Sequence, residues 1–342
     1  MNTVENILTS DQYPILPFVF SNLSAKQLCV VSQVCSTWNK EAQRERERRG
    51  TWDGRLFDDD IDTSCRTYFN QIPIIPSFVI SLSQCKHHNQ LRSALPKNCC
   101  TIMANVDGAI GRKINQQKSH EIEEADALSL LCLKTSNNLR YKTFSLDGNE
   151  IKAIRKKQSS FFSAIDFNVC NLQNGVIYLI AKMLNDKVIG DLIGSINKDI
   201  NGKNVVVLGG QCRKLQFNSI EKKVVGFILH GEHLRPYLYV HKTNSEQELE
   251  TFLTELKEKT QAQKAAINVK QSLMLMVSCI GRGEKFYERT NVECDIIDKV
   301  FPGLQVFGFF GLGEIAYDSS SESSNCKCAF TYVSVFCLLQ FL

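Results

Sequence analysis

Three segments of the sequence carry the same parts in the same order, and this recurrence constrains the fold more than any other feature. Each begins with an apolar stretch typical of a strand, continues through a polar or amphipathic stretch, and reaches a second apolar stretch that runs into glycine. The second stretches end at Val106, Leu208 and Phe310, which are evenly spaced along the chain. Strand, helix and strand in succession predict right-handed crossovers, parallel neighbours and a mixed α/β fold of related units.

After the glycines, a polar loop and a third apolar stretch predict antiparallel hairpins, and in the first two segments a fourth extended segment follows. In the third segment the post-glycine strand falls within residues 329–342, an apolar tail. A membrane anchor is the other interpretation of this tail, but the recurrence favours a buried strand. Because the third segment ends without a fourth extended part, its last strand is expected to be incompletely paired.

The first fifty residues differ from the rest of the chain. Their apolar residues recur at helical spacing, and Ser24 followed by Gln27 fits a capping box that would start a second helix. Residues 40–49 alternate in charge and predict the solvated end of a third helix. We therefore expect a small three-helix module at 1–50, a polar linker at 51–71, and α/β regions at 72–220 and 221–342.

The spacing in this module, above all Val34-Cys35 followed by Trp38, resembles the F-box. The F-box docks on the Skp-type adaptor of cullin-RING ubiquitin ligases. The alternative interpretation of residues 1–50 is an ordinary helical bundle with a buried tryptophan. The resemblance implies that adaptor contacts come from Val19, Phe20, Leu23, Leu28, Val34, Cys35 and Trp38.

Two glycine-rich segments, 278–283 and 308–315, carry the densest unusual chemistry. Arg282 could hold a carboxylate or phosphate, Glu314 could accept from an amine, and Cys279 beside a cation is the best candidate for a reactive thiol. Alternatively, the glycines form tight turns, Arg282 pairs with Glu314, and Cys279 is a small buried residue. The candidate ligand- or substrate-binding residues are Cys279, Gly281, Arg282, Gly283, Gly308, Gly311, Gly313 and Glu314.

These two segments also resemble the C-terminal half of FIST domains, a family of proposed small-molecule sensors, and residues 205–211 resemble the N-terminal half. An F-box followed by FIST regions implies a non-catalytic substrate receptor of a cullin-RING ubiquitin ligase, which directs protein substrates to ubiquitination and proteasomal degradation. Its partners would be the Skp-type adaptor, the cullin scaffold and the substrates. The alternative is a sensor protein whose FIST-like cleft holds a small molecule, without a role in ubiquitination.

The composition bears on nucleic-acid binding, on metal and cofactor sites, and on the compartment in which the protein resides. Lys and Arg number 40 against 36 Asp and Glu, so no strong nucleic-acid footprint is present. The 14 cysteines lack a C-x-x-C pair, and His230, His233 and His241 are expected at the surface, so we expect neither a metal site nor a cofactor. With no visible secretory signal and no spanning stretch, we expect reduced thiols and a cytoplasmic and nuclear protein.

Overall fold

Three six-stranded sheets, each covered by helices, follow a small group of N-terminal helices. The computed structural model describes residues 15–84, 88–114, 116–123, 125–136, 139–264, 269, 271–319 and 328–341. The predicted mixed α/β class is confirmed. Residues 1–14 of the predicted module lie outside the described residues.

The helices are α1 Ile15–Ser21, α2 Ala25–Val31, α3 Ser36–Arg48, α4 Ile61–Gln71, α5 His88–Ala94, α6 Gly148–Arg155, α7 Phe161–Ala164, α8 Asp186–Ile200, α9 Glu246–Lys264, α10 Glu284–Tyr287 and α11 Val292–Val300. The strands are β1 Trp52–Phe57, β2 Phe78–Ser83, β3 Cys100–Asn105, β4 Gly108–Arg112, β5 Ser119–Glu123, β6 Leu128–Leu133, β7 Arg140–Leu146, β8 Asn174–Lys182, β9 Asn204–Cys212, β10 Lys214–Phe217, β11 Ile220–Glu221, β12 Val224–His230, β13 Leu234–His241, β14 Gln271–Cys279, β15 Gln305–Gly311, β16 Glu314–Asp318, β17 Ala329–Phe330 and β18 Ser334–Phe341. Two short 3₁₀ turns, Val169–Asn171 and Ile280–Arg282, complete the elements.

Each sheet joins four strands from one stretch of chain to a hairpin from another stretch. The strand orders are β1-β6-β2-β3-β10-β11, β7-β12-β8-β9-β16-β17 and β13-β18-β14-β15-β4-β5. Within them the three strand pairs joined through helices, β2 with β3, β8 with β9 and β14 with β15, are parallel. The hairpins that follow the glycines are antiparallel and pass to the neighbouring sheet.

The inner faces of all three sheets meet in one central core. Phe78 from the first sheet, Tyr178 and Phe227 from the second, and Phe307 from the third belong to it. Alternate residues face outward, as Val79 does, and are covered by helices. Because the strands are buried on both faces, they read in the sequence as continuous apolar runs.

The expected linker over residues 51–71 is ordered and partly buried instead. Residues 52–57 form β1, an edge strand paired antiparallel with β6, and 61–71 form α4. Trp52 packs into the central core, and Tyr68 and Phe69 pack beneath the outer face of the first sheet. The polar residues that suggested a linker lie mainly on the turn at 58–60 and on the exposed side of α4, whereas the apolar residues between them hold the segment in place. The boundary between residues 220 and 221 stays a prediction.

The C-terminal tail forms a fully buried strand, as the recurrence predicted. The expectation of incomplete pairing is wrong: β18 lies inside the third sheet and pairs along its length with both β13 and β14. The missing fourth part is supplied by β13, which precedes the third segment in the chain. Among the described residues, no helix has the length and apolarity needed to cross a membrane.

Candidate functional sites

The first site is the surface of the N-terminal helices. Leu16 and Phe20, one turn apart on α1, pack with Leu28 of α2 and Ala42 of α3 in a small core. Trp38 meets the Phe20 ring edge-on, with ring centroids 5.6 Å apart. Phe20 and Leu28 are therefore buried and are not available as the adaptor contacts that the F-box resemblance implied.

Other expected contact residues of these helices have different positions. Val19 and Val34 are exposed, whereas Leu23, Cys35 and Trp38 are half-buried. Cys35 caps α3, since the Trp38 amide donates to its Sγ at 3.5 Å. Cys35 is the N-cap of α3, and an N-cap side chain accepts a hydrogen bond from the main-chain amide three residues later. The spacing between Cys35 and Trp38 is therefore explained by where α3 begins.

The predicted capping box is confirmed at the start of α2. The Gln27 amide donates to the Ser24 hydroxyl, and the Ser24 amide donates back to the Gln27 side chain at 2.8 Å. Two amide groups at the helix terminus are thereby satisfied, which fixes where α2 begins. This start sets the register that buries Leu28 and exposes Val30.

Sequence reasoning found only part of a set of exposed apolar side chains on and between the same helices. It included Val19 and Val34 and missed the other three. Half of the large apolar side chains that are exposed in the described part of the chain fall there, and Phe18 is 72% exposed. A signal was present, because an apolar residue three or four positions from another on a helix shares its face, and α1 carries two such sets. We use the name apolar face of the helices for these five exposed residues of α1, α2 and the turn before α3: Ile15, Phe18, Val19, Val30 and Val34.

The charged end of α3 is solvated at most of its side chains, as expected, but Arg49 at its C-cap and Glu45 are buried in a junction. The Arg49 side chain is 8% exposed and donates to Glu45 at 2.9 Å. It also donates to the carbonyls of Phe20 at 2.9 Å, Leu23 at 2.6 Å and Pro73 at 2.8 Å. One guanidinium therefore ties the first loop, α3 and the segment before β2 together.

The second site surrounds Arg282, after the carboxyl end of β14. The side chain is fully buried, and Glu293 at the start of α11 is its carboxylate partner. Arg282 also donates from Nε to the Ser334 hydroxyl at 3.0 Å and from Nη2 to the Thr243 carbonyl at 2.8 Å. The ring of Phe286 lies 4.7 Å from the guanidinium carbon.

The surroundings of Arg282 fit neither of its two predicted roles. The guanidinium is enclosed and its donors are engaged, so it does not face an open cleft. The alternative, a direct pair with Glu314, is also wrong, because Glu293 takes that place. Glu293 lies only 11 residues after Arg282, but no local pattern indicated this contact, because the turn after β14, the start of α11 and β18 meet only in the folded chain.

Glu314 and Cys279 form a second buried pair next to this cluster. Glu314 is 1% exposed, and burial raises its pKa to about 8. Burial, and then the carboxylate of Glu314, raise the pKa of the Cys279 thiol. The expectation that Arg282 would lower this pKa is therefore wrong, since desolvation and a carboxylate both disfavour the thiolate.

The candidate glycines allow close packing of the chain on itself. A Cβ on Gly308 would lie 2.0 Å from the Met276 carbonyl oxygen of the neighbouring strand, and one on Gly283 would overlap the Glu123 carboxylate. The Glu123 carboxylate accepts from the Glu284 amide at 2.7 Å. The other three, Gly281, Gly311 and Gly313, likewise have no room for a side chain unless Tyr332 or Gln211 shifts.

The three histidines do not converge as ligands. His230 and His241 are buried strand residues, contrary to the surface position expected of them, because the ends of β12 and β13 lie inside the packed layers. Burial lowers the pKa of both imidazoles, so they are neutral side chains at neutral pH. Within the described residues, no group of three His, Cys, Asp or Glu side chains could hold a metal ion.

Comparison with known proteins finds two family models that match parts of the chain. Residues 13–46 match the family model described as F-box-like, and residues 224–317 match that of the FIST C domain. These two regions of the chain are therefore similar to an F-box and to a FIST C domain. Over most of its length it is similar to F-box only protein 22 of Homo sapiens, with 23% identity across 88% of this chain and 83% of the relative.

The protein of the same description from Pongo abelii gives the same identity and coverage. Among solved structures, the crystal structure of cyanuic acid hydrolase from A. caulinodans covers 85% of this chain and 99% of its own, with a TM-score of 0.37 and 6% identity.

Proposed function

We propose that this protein is the substrate-recognition subunit of a cullin-RING E3 ubiquitin ligase, which directs its substrates to ubiquitination and proteasomal degradation. The observation that carries the proposal is the F-box-like match at residues 13–46, in a segment whose helices expose Phe18 and Val30 and whose turn before α3 exposes Val34. Exposed apolar side chains at this density are typical of a protein-binding surface. The similarity to F-box only protein 22 supports the same role.

In this role the chain carries out no chemistry itself. The N-terminal helices bind the Skp-type adaptor, and through it the cullin scaffold, while the three sheets bind the protein substrate. The contribution is proximity, because a tethered substrate lysine meets the ubiquitin-loaded enzyme at high effective concentration. The buried Arg49 contacts support this role, since they hold the helices in a fixed orientation on the sheets.

Adaptor capture by the full chain tests the proposal. Phe18→Glu and Val34→Glu place a charge on the apolar face, and we expect each to weaken binding of the purified adaptor at least tenfold. Ile220→Glu is the matched control, because Ile220 is 63% exposed but lies on β11, outside the helices. Unchanged binding in both helix variants, at an unchanged melting temperature, would overturn the proposal.

We also propose that the protein resides in the cytoplasm and nucleus. The cysteines in the described part of the chain are free thiols, which suits a reducing compartment. Imaging of the tagged full chain in cells, with fractionation as the second measurement, tests the assignment. Accumulation in a secretory compartment would contradict it.

A further inference from the structure

A cavity of about 650 Å³ lies between the first and third sheets. Its lining comes from β1 of the first sheet, from β4, β14, β15 and β18 of the third sheet, from helix α9, and from the turn before β15. A volume of this size suits a small organic molecule. The cavity is separate from the Arg282 cluster and from the apolar face of the helices.

The lining carries an excess of positive charge. Arg55, Arg112 and Lys257 face the cavity against one carboxylate, that of Asp53. Asp53 is already engaged, because its Oδ2 accepts from the Tyr68 hydroxyl at 2.8 Å and its Oδ1 lies 3.1 Å from Arg55. Lys257 has no carboxylate partner among the described residues of the cavity lining. Arg112 forms no ion pair there, although the charges of Asp298 and Asp53 act on it from a distance, so the lining keeps a positive excess that would attract an anion.

Two buried polar atoms at this cavity also have no hydrogen-bond partner within the described residues. One is Nε of Arg112, whose Nη2 donates to the Leu304 carbonyl. The other is Oε1 of Gln340, a side chain only 2% exposed on β18. Buried polar groups in folded proteins are normally satisfied, and an unmade bond is costly. One of these atoms requires an acceptor and the other a donor.

We propose that this cavity binds a small organic anion, a carboxylate or phosphate ester, that also carries a hydroxyl group. The anionic oxygens accept from Arg112, with Lys257 adding charge at the rim, and the hydroxyl donates to Oε1 of Gln340. A guanidinium fork suits the planar or tetrahedral oxygens of such an anion. The ligand would join the first and third sheets, and its binding does not depend on the proposed role in ubiquitination.

Titration calorimetry on the full chain at low salt tests the site, with glucose 6-phosphate and citrate as the hydroxylated anions. Inorganic phosphate is the anion that lacks a carbon-bound hydroxyl, and glucose is the neutral control. We expect glucose not to bind and at least one of the two organic anions to bind. The one that binds identifies the source of the charge as phosphate ester or carboxylate. Binding of neither organic anion would overturn the proposal.

Variants then assign the contacts. We expect Arg112→Gln and Lys257→Gln each to weaken the bound anion at least tenfold, whereas Arg44→Gln, the same change at a side chain 73% exposed on α3, has no effect. We expect Gln340→Leu to weaken the hydroxylated anion but not inorganic phosphate. Wild-type affinity in Lys257→Gln and Arg112→Gln would overturn the site.

Lys257→Gln is the variant least open to misfolding, because the Lys257 ammonium group makes no hydrogen bond or ion pair with the described residues of the cavity lining. The melting temperature of each variant is measured as a second control. Adaptor capture is expected to be unchanged in all these variants. The result for the cavity and the result for the ubiquitin-ligase role can therefore be separated.

Discussion

The Arg282 guanidinium donates two hydrogen bonds to one carboxylate oxygen of Glu293: its Nε and Nη2 lie 3.2 and 3.1 Å from Oε1. The same oxygen accepts from the Tyr287 hydroxyl at 2.8 Å and from the Ser334 hydroxyl at 2.9 Å. One oxygen thus joins the turn after β14, the start of α11 and the central strand β18. Charges buried in this way are satisfied only when every partner is present.

Loss of either partner is expected to destabilise the protein. Arg282→Leu leaves the Glu293 carboxylate buried without its cation, which typically costs about 3–5 kcal/mol. Denaturant unfolding of the full chain measures the change in the free energy of unfolding. Arg289→Leu is the matched control, because its pair with Glu246 is half exposed and such pairs contribute about 0–1 kcal/mol. Equal stability of the two variants would show that Arg282 does not act as a buried anchor.

The carboxyl group of Glu314 makes stability depend on pH. Burial raises its folded-state pKa to about 8 from an ordinary value of 4.5. Between these values the folded chain holds a proton that the unfolded chain has released, so the free energy of unfolding falls as pH rises. The loss approaches about 1.4 kcal/mol per pH unit for one such group.

The substitution Glu314→Gln tests this dependence, since it keeps the shape and removes the titration. We expect the free energy of unfolding to fall less between pH 5 and pH 8 than in the natural chain. The slope should be shallower by an amount that approaches about 1.4 kcal/mol per pH unit, the contribution of one titrating group. Some slope is expected to persist, because burial also raises the pKa of Glu121 to about 8. Parallel stability curves for the two proteins would contradict the assignment to Glu314.

Removal of the Arg49 side chain is expected to loosen the helices from the sheets. Arg49→Ala removes a charged donor from the Phe20 and Leu23 carbonyls and from the Glu45 carboxylate, although Phe20 keeps the Leu23 amide and Glu45 keeps Arg48. Bonds to a charged group contribute roughly 1.5–3 kcal/mol. Limited proteolysis should cut near Gly50 faster than in the natural chain. Arg44→Ala, at an exposed position on the same helix, should leave the cleavage rate unchanged.

Thiol reactivity should follow exposure. Cys170 is exposed, whereas Cys279 and Cys132 are buried and burial raises their pKa. Limited alkylation at neutral pH is therefore expected to label Cys170 before the other two, the reverse of what the cation beside Cys279 suggested. Peptide mapping by mass spectrometry gives the order. Early labelling of Cys279 would mean that its strand end opens in solution.

The sequence was informative wherever a local pattern sets the structure. The capping box at Ser24 and the parallel strand pairs depend on neighbouring residues and on hydrophobic period, so they could be predicted. Pairing between distant segments could not. The partner of Arg282 and the neighbours of β18 are set by how three sheets pack, and no local signal reports that packing.

Composition was misleading in two segments. The charges of residues 40–49 suggested a solvated helix end, yet Arg49 is buried because main-chain carbonyls from three segments surround it. The acids near Asp58 suggested a linker, yet Trp52 and Tyr68 hold that segment on the first sheet. A few well-placed side chains can outweigh the average polarity of a segment.

The passing of each hairpin to the neighbouring sheet has a consequence for how the chain acquires its structure. The first sheet requires β10 and β11 from a later part of the chain, and the third requires β4 and β5 from a much earlier part. Any continuous stretch of chain long enough to contain one complete sheet also contains strands of the other two sheets, so the three sheets are expected to form and melt together. Such distant pairings slow folding, since loop entropy is lost before the contacts compensate for it. Damage to one hairpin is therefore a defect of the whole assembly of sheets.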